Sequence, residues 1–468
     1  MENDKSYFFC GIGGSGMLPL ASILRGRGFT VKGSDRALDQ GRTGAKFDWL
    51  RALGIDLFAQ DGSGLTNKNQ ILVASSAVED TVPDVMASRE LGLERLTRPE
   101  LLSALFNDAP CGIGVAGTSG KSTVTGMIGW ILHDCGRDPT VMNGAVMKNF
   151  IADDTPFASA LVGKGEAFVS EIDESDGSIA LYAPDIAVLN NVALDHKSME
   201  ELRELFGDFL AKAGRAVVNL DDAESAVLAN AIADEKLIGF GIENDAADLA
   251  ASNIVEAPLS VAFDLAERVS GENCRVELAV PGRHNVSNAL AAIAVARACG
   301  VGLAEAAASI GRFQGLRRRF EIVGTARRAT VIDDFGHNPD KIAATLKTLH
   351  AFPGRLLIFF QPHGYGPLKK MGAEMVQCFA DYMSEEDRLI ICDPVYFGGT
   401  TDKSVGSDAI VENVAEAGRH AEHIPDRAAC GTRLAALARD GDRIIVMGAR
   451  DDTLSVFAAD ILAAIEQG

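Results

Sequence analysis

Short apolar runs closed by glycine or polar residues recur along this chain, alternating with stretches whose apolar positions repeat at helical spacing. Residues 7–10 predict a strand, the turn Gly11 to Gly16 follows, and residues 17–26 fit a helix. Residues 29–32 predict a second strand that ends at Gly33-Ser34-Asp35, and residues 70–74 a third that stops at Ser75-Ser76. The pattern restarts with a strand at 112–116, a glycine-rich loop and a helix from about residue 123 to 132, then strands at 167–170 and 186–189. Residues 245–280 are poorly periodic and read as strands and loops. Beyond Arg312, strands are expected at 330–332, 355–360, 388–392 and 443–447, with helices at 341–349 and 411–417 between them. Buried-type strands alternating with helices predict an α/β chain built on mostly parallel sheets.

Length divides this pattern. At 468 residues the chain exceeds one ordinary core, and the restarts suggest segments 1–107, 108–311 and 312–468. The charge of -21 argues against a nucleic-acid partner, since no field draws the chain toward a polyanion. No stretch approaches the roughly 20 apolar residues of a membrane span, and the first residues do not resemble a signal peptide. Eight cysteines without CxxC spacing suggest core thiols in a reducing compartment, so a cytoplasmic location is expected.

Candidate chemistry gathers at the strand ends. Gly117-Thr118-Ser119-Gly120-Lys121-Ser122-Thr123 stands between strand and helix. There glycines let the backbone wrap phosphate, Lys121 supplies a mobile charge, and the Ser122 hydroxyl suits Mg²⁺. Val115 occupies the position where the longer GxxxxGK[ST] pattern has its first glycine. Glu171-Ile172-Asp173-Glu174-Ser175-Asp176 follows another strand, and carboxylates beside a phosphate loop can hold Mg²⁺; at a solvated strand end the same crowding would be harmless. Asp195-His196 lies at a further strand end, where a histidine is either a ligand or a structural hydrogen-bonding residue. Asn285 and Asn288, three positions apart, suit base reading along one helical edge, or helix capping by Asn285. Arg317-Arg318-Arg319 offers a phosphate clamp or an exposed basic run, and Asp334, His337, Asn338 and His363 fall near strand ends. The turn Gly11-Ile12-Gly13-Gly14-Ser15-Gly16, with Asp35 downstream, alone suits a dinucleotide dehydrogenase. That reading leaves Lys121 unexplained.

The order of these motifs resembles the Mur ligase family, most closely its UDP-N-acetylmuramate–L-alanine ligase branch. Added to the segments above are Arg98-Pro99-Glu100, Asn191, Asn219-Leu220-Asp221-Asp222, Gly282-Arg283-His284-Asn285, Asp333-Asp334-Phe335-Gly336-His337 and Phe360-Gln361-Pro362-His363. The resemblance implies three domains: a Rossmann-like N-terminal domain for a UDP-sugar, a central P-loop ATPase-type domain, and a Rossmann-like C-terminal domain that admits the amino acid. It implies an ATP- and Mg²⁺-dependent ligase of peptidoglycan synthesis that joins L-alanine to UDP-N-acetylmuramate through an acyl phosphate. Gly117 to Thr123, Asn285, Asn288, Arg318 and Asp334 would meet ATP, and Ser122, Glu171 and His196 would organise the metal. Gly11, Gly13, Gly14, Ser15, Gly16, Met17, Asp35, Ser75 and residues 173–176 (Asp173, Glu174, Ser175, Asp176) would serve the UDP-sugar. Lys121, His196, His337 and His363 would stand at the reaction centre of a monomer or weak homodimer.

This chain departs from the family pattern at Ser119 and Asn338, each where a histidine is usual, and at Gly364 and Pro367, where arginines are usual. Those departures motivate two alternatives: a ligase for a different amine, peptide or UDP-linked acid, and a non-catalytic nucleotide-binding paralogue.

Overall fold

The computed structural model describes residues 5–75, 78–194, 197–395, 405–449 and 451–467. Two compact units divide the chain, one of residues 1–256 with 260–315, the other of 257–259 with 316–468. Among the described residues the strands form three sheets.

In the first unit, β1 (Ser6–Cys10), β2 (Thr30–Ser34), β3 (Asp56–Phe58), β4 (Gln70–Ala74) and β5 (Glu94–Thr97) align in the order β3-β2-β1-β4-β5, all parallel. Fully buried runs such as Gln70–Ala74 are what a parallel sheet covered on both faces requires. The second sheet comprises β6 (Cys111–Ala116), β7 (Thr140–Met142), β8 (Ala160–Leu161), β9 (Ala167–Glu171), β10 (Ile186–Leu189), β11 (Arg215–Asn219), β12 (Leu237–Ile242), β13 (Leu249–Ala257), β14 (Ser260–Glu267) and β15 (Asn273–Leu278). Its order is β15-β14-β13-β12-β11-β10-β6-β9-β7-β8. The poorly periodic stretch at 245–280 is thus strand: β14 and β15 pair antiparallel, and one-sided burial gives them the alternation that their sequence shows only weakly.

Both sheets of this unit feed one core. Phe9, Leu20, Val73, Leu101 and Phe106 belong to the same apolar cluster as Phe168, Ile172, Tyr182, Phe206 and Phe209. The Phe106 ring stands 6.0 Å from Phe168 and 5.4 Å from Tyr182, and Trp49 donates its indole N–H to Asp154 O at 2.8 Å. Helix Met199–Lys212 shows how local signals serve this packing. A capping box between Ser198 and Glu201 starts it, and Leu202, Phe206, Phe209 and Leu210 form its buried stripe.

The second unit holds β16 (Glu321–Ala326), β17 (Ala329–Asp334), β18 (Leu356–Gln361), β19 (Arg388–Ile391), β20 (Ala421–His423) and β21 (Arg443–Gly448), ordered β16-β17-β21-β18-β19-β20. The chain passes over β21 between β17 and β18, then returns to fill the gap. A switch point therefore lies between β21 and β18, and a crevice is expected outside their carboxyl ends. No helix among the described residues is long and apolar enough to cross a membrane.

Candidate active site

The loop after β6 is held from behind by asparagines. Gly117 (φ 127°) packs so closely that an added Cβ would lie 3.0 Å from Asn191 O. At Gly120 (φ 85°) it would meet Asn190 Nδ2 at 2.5 Å. Left-handed backbone and missing space both demand glycine here. Ser119 N donates to Asn191 Oδ1 at 2.8 Å, while its carbonyl accepts from Asn190 Nδ2 and Asn191 Nδ2, both at 3.1 Å. Asn190 also donates to Asn288 Oδ1 at 3.0 Å, Asn288 to Asn285 Oδ1 at 3.1 Å, and Asn285 to Pro281 O at 2.7 Å. Asn285 and Asn288 are buried, and the hydrogen bonds of their side chains run into this relay. A cavity of about 540 Å³ beside it is lined instead by Asn219, Asp221, Ile242, Arg283, His284 and Ser287.

Helix Lys121–Asp134 carries the polar groups that follow the loop. Lys121 Nζ donates to Gly117 O at 2.7 Å and to Glu174 Oε2 at 2.8 Å, and the Glu174 side chain is only 7% exposed. Ser122 Oγ donates to Glu171 Oε2 at 2.7 Å. Gly144 has no side chain where one would sit 2.1 Å from Glu171 Oε1, so that carboxylate lies in a cradle only glycine leaves open. Two hard oxygen donors at the start of a phosphate-type helix fit Mg²⁺. Thr118 is anchored too, its hydroxyl donating to Ala193 O at 3.0 Å. Thr123 follows Ser122 in the first turn of the helix. Asp195 and His196 lie outside the described residues.

The acidic segment is ordered by its own turns. Asp173 accepts from Ser175 N at 3.0 Å, and Asp176 from Ser178 N at 2.9 Å. Burial pushes the Asp173 carboxyl up, but the Ser175 amide and hydroxyl, aided by the charges of Lys121 and Arg98, outweigh it and leave it below its ordinary value.

In the N-terminal turn, Gly11 N and Ile12 N donate to Ser34 O, and Gly13 N donates to Asp35 Oδ2 at 2.8 Å. Asp35 Oδ1 accepts from Ala37 N, capping helix Arg36–Asp39. Both Asp35 oxygens thus hold backbone. Gly14 and Ser15 are exposed, Gly16 precedes helix Met17–Gly26, and Ser75 follows β4. Behind the turn Ser34 donates to Asp84, which also accepts from Gly62 N at 2.8 Å.

At the carboxyl edge of the second unit, Gln361 and Gly448 end β18 and β21 in register. His337 and His363 stand edge to face with ring centroids 5.2 Å apart. His337 Nδ1 lies 2.9 Å from Phe335 O; a carbonyl only accepts, so Nδ1 carries the proton and Nε2 keeps its lone pair. Burial pushes the His337 imidazole down to about 4. Asn338 caps helix Pro339–His350 by accepting from Lys341 N at 3.0 Å. Gly364 has φ 144°, a conformation that would strain any side chain, so this backbone suits glycine at the position where an arginine is usual.

Two ATP candidates in this unit are committed to protein groups. Arg318 is buried, donating to Gly448 O at 2.6 Å and Asp451 O at 3.0 Å beside Asp333. Asp334 accepts from Phe320 N at 2.9 Å and Thr345 Oγ1 at 2.7 Å. The basic run is therefore not uniformly an exposed one. Also unforeseen is a knot at the strand ends: Arg427 donates to Asp451 at 2.7 Å, and Gln361 donates to the same carboxylate at 2.8 Å. Asn190 was missed as well, although its place directly after a buried strand was a usable signal.

The chain matches, in order, the family models described as Mur ligase family, catalytic domain (residues 6–109), Mur ligase middle domain (115–296), and Mur ligase, glutamate ligase domain (318–450). It is 34% identical over 458 residues to the UDP-N-acetylmuramate–L-alanine ligase of Rhizobium meliloti, covering 94% of this chain and 93% of that protein. The enzyme of the same description from Synechococcus sp. is 36% identical over 454 residues, covering 95% and 84%. Among solved structures, the UDP-N-acetylmuramate-alanine ligase of Thermotoga maritima superposes with a TM-score of 0.79 at 22% identity, and a murein peptide ligase from Psychrobacter arcticus with 0.73 at 23%, each covering 99% of both chains. At those identities the two structures speak for the fold. With three domain models met in sequence and relatives matched along nearly the whole length, this α/β chain belongs to the Mur ligase family.

Proposed function

We propose that the chain is an ATP-dependent ligase that joins L-alanine to the carboxylate of UDP-N-acetylmuramate in peptidoglycan synthesis. The observation that carries this reading is the near-full-length match to relatives of that description. It favours neither a different acceptor nor a dehydrogenase, and Lys121, Ser122 and Glu171 keep the phosphate and metal groups that turnover needs.

The chemistry follows from charge. Carboxylate attack on the γ-phosphorus of ATP releases ADP and gives an acyl phosphate; amine attack on that carbonyl then expels phosphate and leaves the amide. Lys121 and the loop amides from Gly117 to Thr123 cradle the polyphosphate, with the asparagine relay keeping the loop's shape before the nucleotide arrives. Ser122 and Glu171, with His196, would hold Mg²⁺, which supplies charge neutralisation at the transferring phosphoryl group when bound. The Gly11–Met17 turn receives the UDP moiety. Burial that holds the His337 imidazole at about 4 makes it a weak base, so the proton that the attacking amine loses leaves with the departing phosphate.

Phosphate release with ATP, Mg²⁺, UDP-N-acetylmuramate and each of several amines, with mass detection of the amide, tests the assignment. L-alanine-dependent release is expected. Preference for another amine would move the acceptor, and no turnover with any amine would refute the proposal.

A further inference from the structure

We infer that Cys111 and Cys299 form a modification site, a thiol pair that hydrogen peroxide joins in a reversible disulfide between the start of β6 and the end of helix Arg283–Ala298. The fold brings the two together from residues far apart in the chain. At the loop edge of the sheet, Asn288 of that helix accepts from Asn190, and a Cβ on Gly120 would lie 2.8 Å from its Oδ1. The eleven residues from Asn288 to Cys299 carry the helix about 16 Å away from the loop. Read back from Ala116 to Cys111, β6 covers about 17 Å in the same direction. Both elements therefore end at one level, and there the Cys299 thiol donates to the Cys111 sulfur. Other groups fix the backbone on either side: Cys111 N donates to Glu166 O at 3.1 Å, Gly112 N to Asp185 Oδ2 at 2.7 Å, and Arg137 Nη2 to Gly300 O at 3.0 Å.

The contact divides the pair into two roles. Among the described residues, which include all eight cysteines, Cys111 alone is held below the ordinary thiol range. The bond from Cys299 does this against burial and the charges of Asp185 and Glu166. The same bond, with burial, pushes Cys299 up, while Arg137 and Arg215 pull it the other way. Both sulfurs belong to half-buried residues, whereas Cys10, Cys378, Cys392 and Cys430 are buried. A partly exposed thiolate beside a second thiol is the arrangement that peroxide oxidises selectively. The Cys111 thiolate attacks one peroxide oxygen and the O–O bond breaks, giving a sulfenic acid and hydroxide, which takes up the proton that Cys111 had released. The Cys299 sulfur then attacks the sulfenic sulfur; the S–S bond forms, the S–O bond breaks, and the thiol proton leaves with that oxygen as water. Two thiols and one hydrogen peroxide thus give one disulfide and two waters.

Disulfide mapping by mass spectrometry on the full, reduced chain, after brief exposure to hydrogen peroxide and alkylation of the remaining thiols, tests this directly. A peptide linked through Cys111 and Cys299 should form at least tenfold faster than any oxidised form of Cys135 or Cys274, the other half-buried cysteines, and dithiothreitol should reverse it. Cys299→Ser should stop the reaction at a Cys111 sulfenic acid that dimedone captures, and Cys111→Ser should slow oxidation of Cys299 at least tenfold. Because the bond joins thiols already in contact across a long loop, the oxidised wild type should melt at least about 4 °C higher than the reduced one. If a serine variant does not fold, the linked peptide and the melting shift of the wild type carry the test. Absence of the linked peptide, oxidation of Cys135 or Cys274 at a comparable rate, or a lower melting temperature after linkage overturns the inference.

Discussion

Asn288 separates two accounts of nucleotide binding. Spacing along a helical edge had suggested that it reads the base; its contacts say that it braces the phosphate loop. In the structure it is buried, accepts from Asn190 Nδ2 at 3.0 Å and donates to Asn285 Oδ1 at 3.1 Å. Replacing it with alanine removes two hydrogen bonds, each worth about 1 kcal/mol net, and leaves a buried amide partly unsatisfied at a further cost of about 1 kcal/mol. The folded state should lose about 2–4 kcal/mol. Asn190 then loses the partner that aims its amide at Ser119 O, 3.1 Å away. A loop no longer held ready should bind polyphosphate about 1–2 kcal/mol more weakly, roughly five- to thirtyfold. Calorimetry with ATP, GTP, ADP and inorganic tripolyphosphate, each with Mg²⁺, distinguishes the accounts. Bracing predicts that Asn288→Ala weakens all four by a similar factor and leaves the ATP-to-GTP ratio unchanged. If tripolyphosphate binds the variant as tightly as the wild type while discrimination between ATP and GTP collapses, the bracing argument is wrong.

Three further outcomes are expected. Lys121→Met should abolish turnover and, by leaving the Glu174 carboxylate buried without its partner, lower stability by about 3 kcal/mol; adding Glu174→Gln should restore the melting temperature but not the activity. His337 should make the second unit pH-sensitive. Its folded pKa of about 4 lies below the ordinary 6.5, so the unfolded chain binds more protons between those values. Its contribution is complete above pH 6.5 and lost as pH falls toward 4, about 2 kcal/mol of it between pH 7.5 and 5, and urea midpoints of the wild type and His337→Gln across that range should show the difference. Gly120→Ala, which forces a methyl to within 2.5 Å of Asn190 Nδ2 at φ 85°, should raise KM for ATP at least tenfold in a steady-state assay and leave KM for the acid little changed.

The parallel sheets were legible because their strands are continuous apolar runs, as in Leu356–Gln361, and those runs end in glycine or polar residues. The loop from Gly117 to Thr123 was legible for the same reason as any phosphate loop: its glycines and lysine have few other uses side by side. What spacing could not reveal was direction. Asn285 and Asn288 do share an edge, but only the fold shows that this edge meets Asn190. Arg318 could be read as a phosphate clamp or as part of an exposed basic run, whereas the backbone of β21 draws its guanidinium inside. The strands at 249–278 were blurred because apolar residues such as Val255 and Ala266 take exposed positions while the charged Glu267 is buried.

The core shared by the first two sheets has a consequence for selectivity. Phe106 touches Phe168 and Tyr182, and Trp49 is tied to Asp154, so the glycine turn and the phosphate loop are carried by one continuous piece of packed protein. Close-packed interiors yield little to a ligand. If the glycine turn takes the diphosphate and the phosphate loop takes ATP, as proposed above, the separation between the two loops would work as a ruler. An acid whose carboxylate lies at the matching span from its diphosphate would then reach the γ-phosphate, and one spacer atom too many or too few would put the reacting atoms out of register by a bond length. Chain length between the two ends of the donor, rather than affinity for either end, would be the quantity this unit measures.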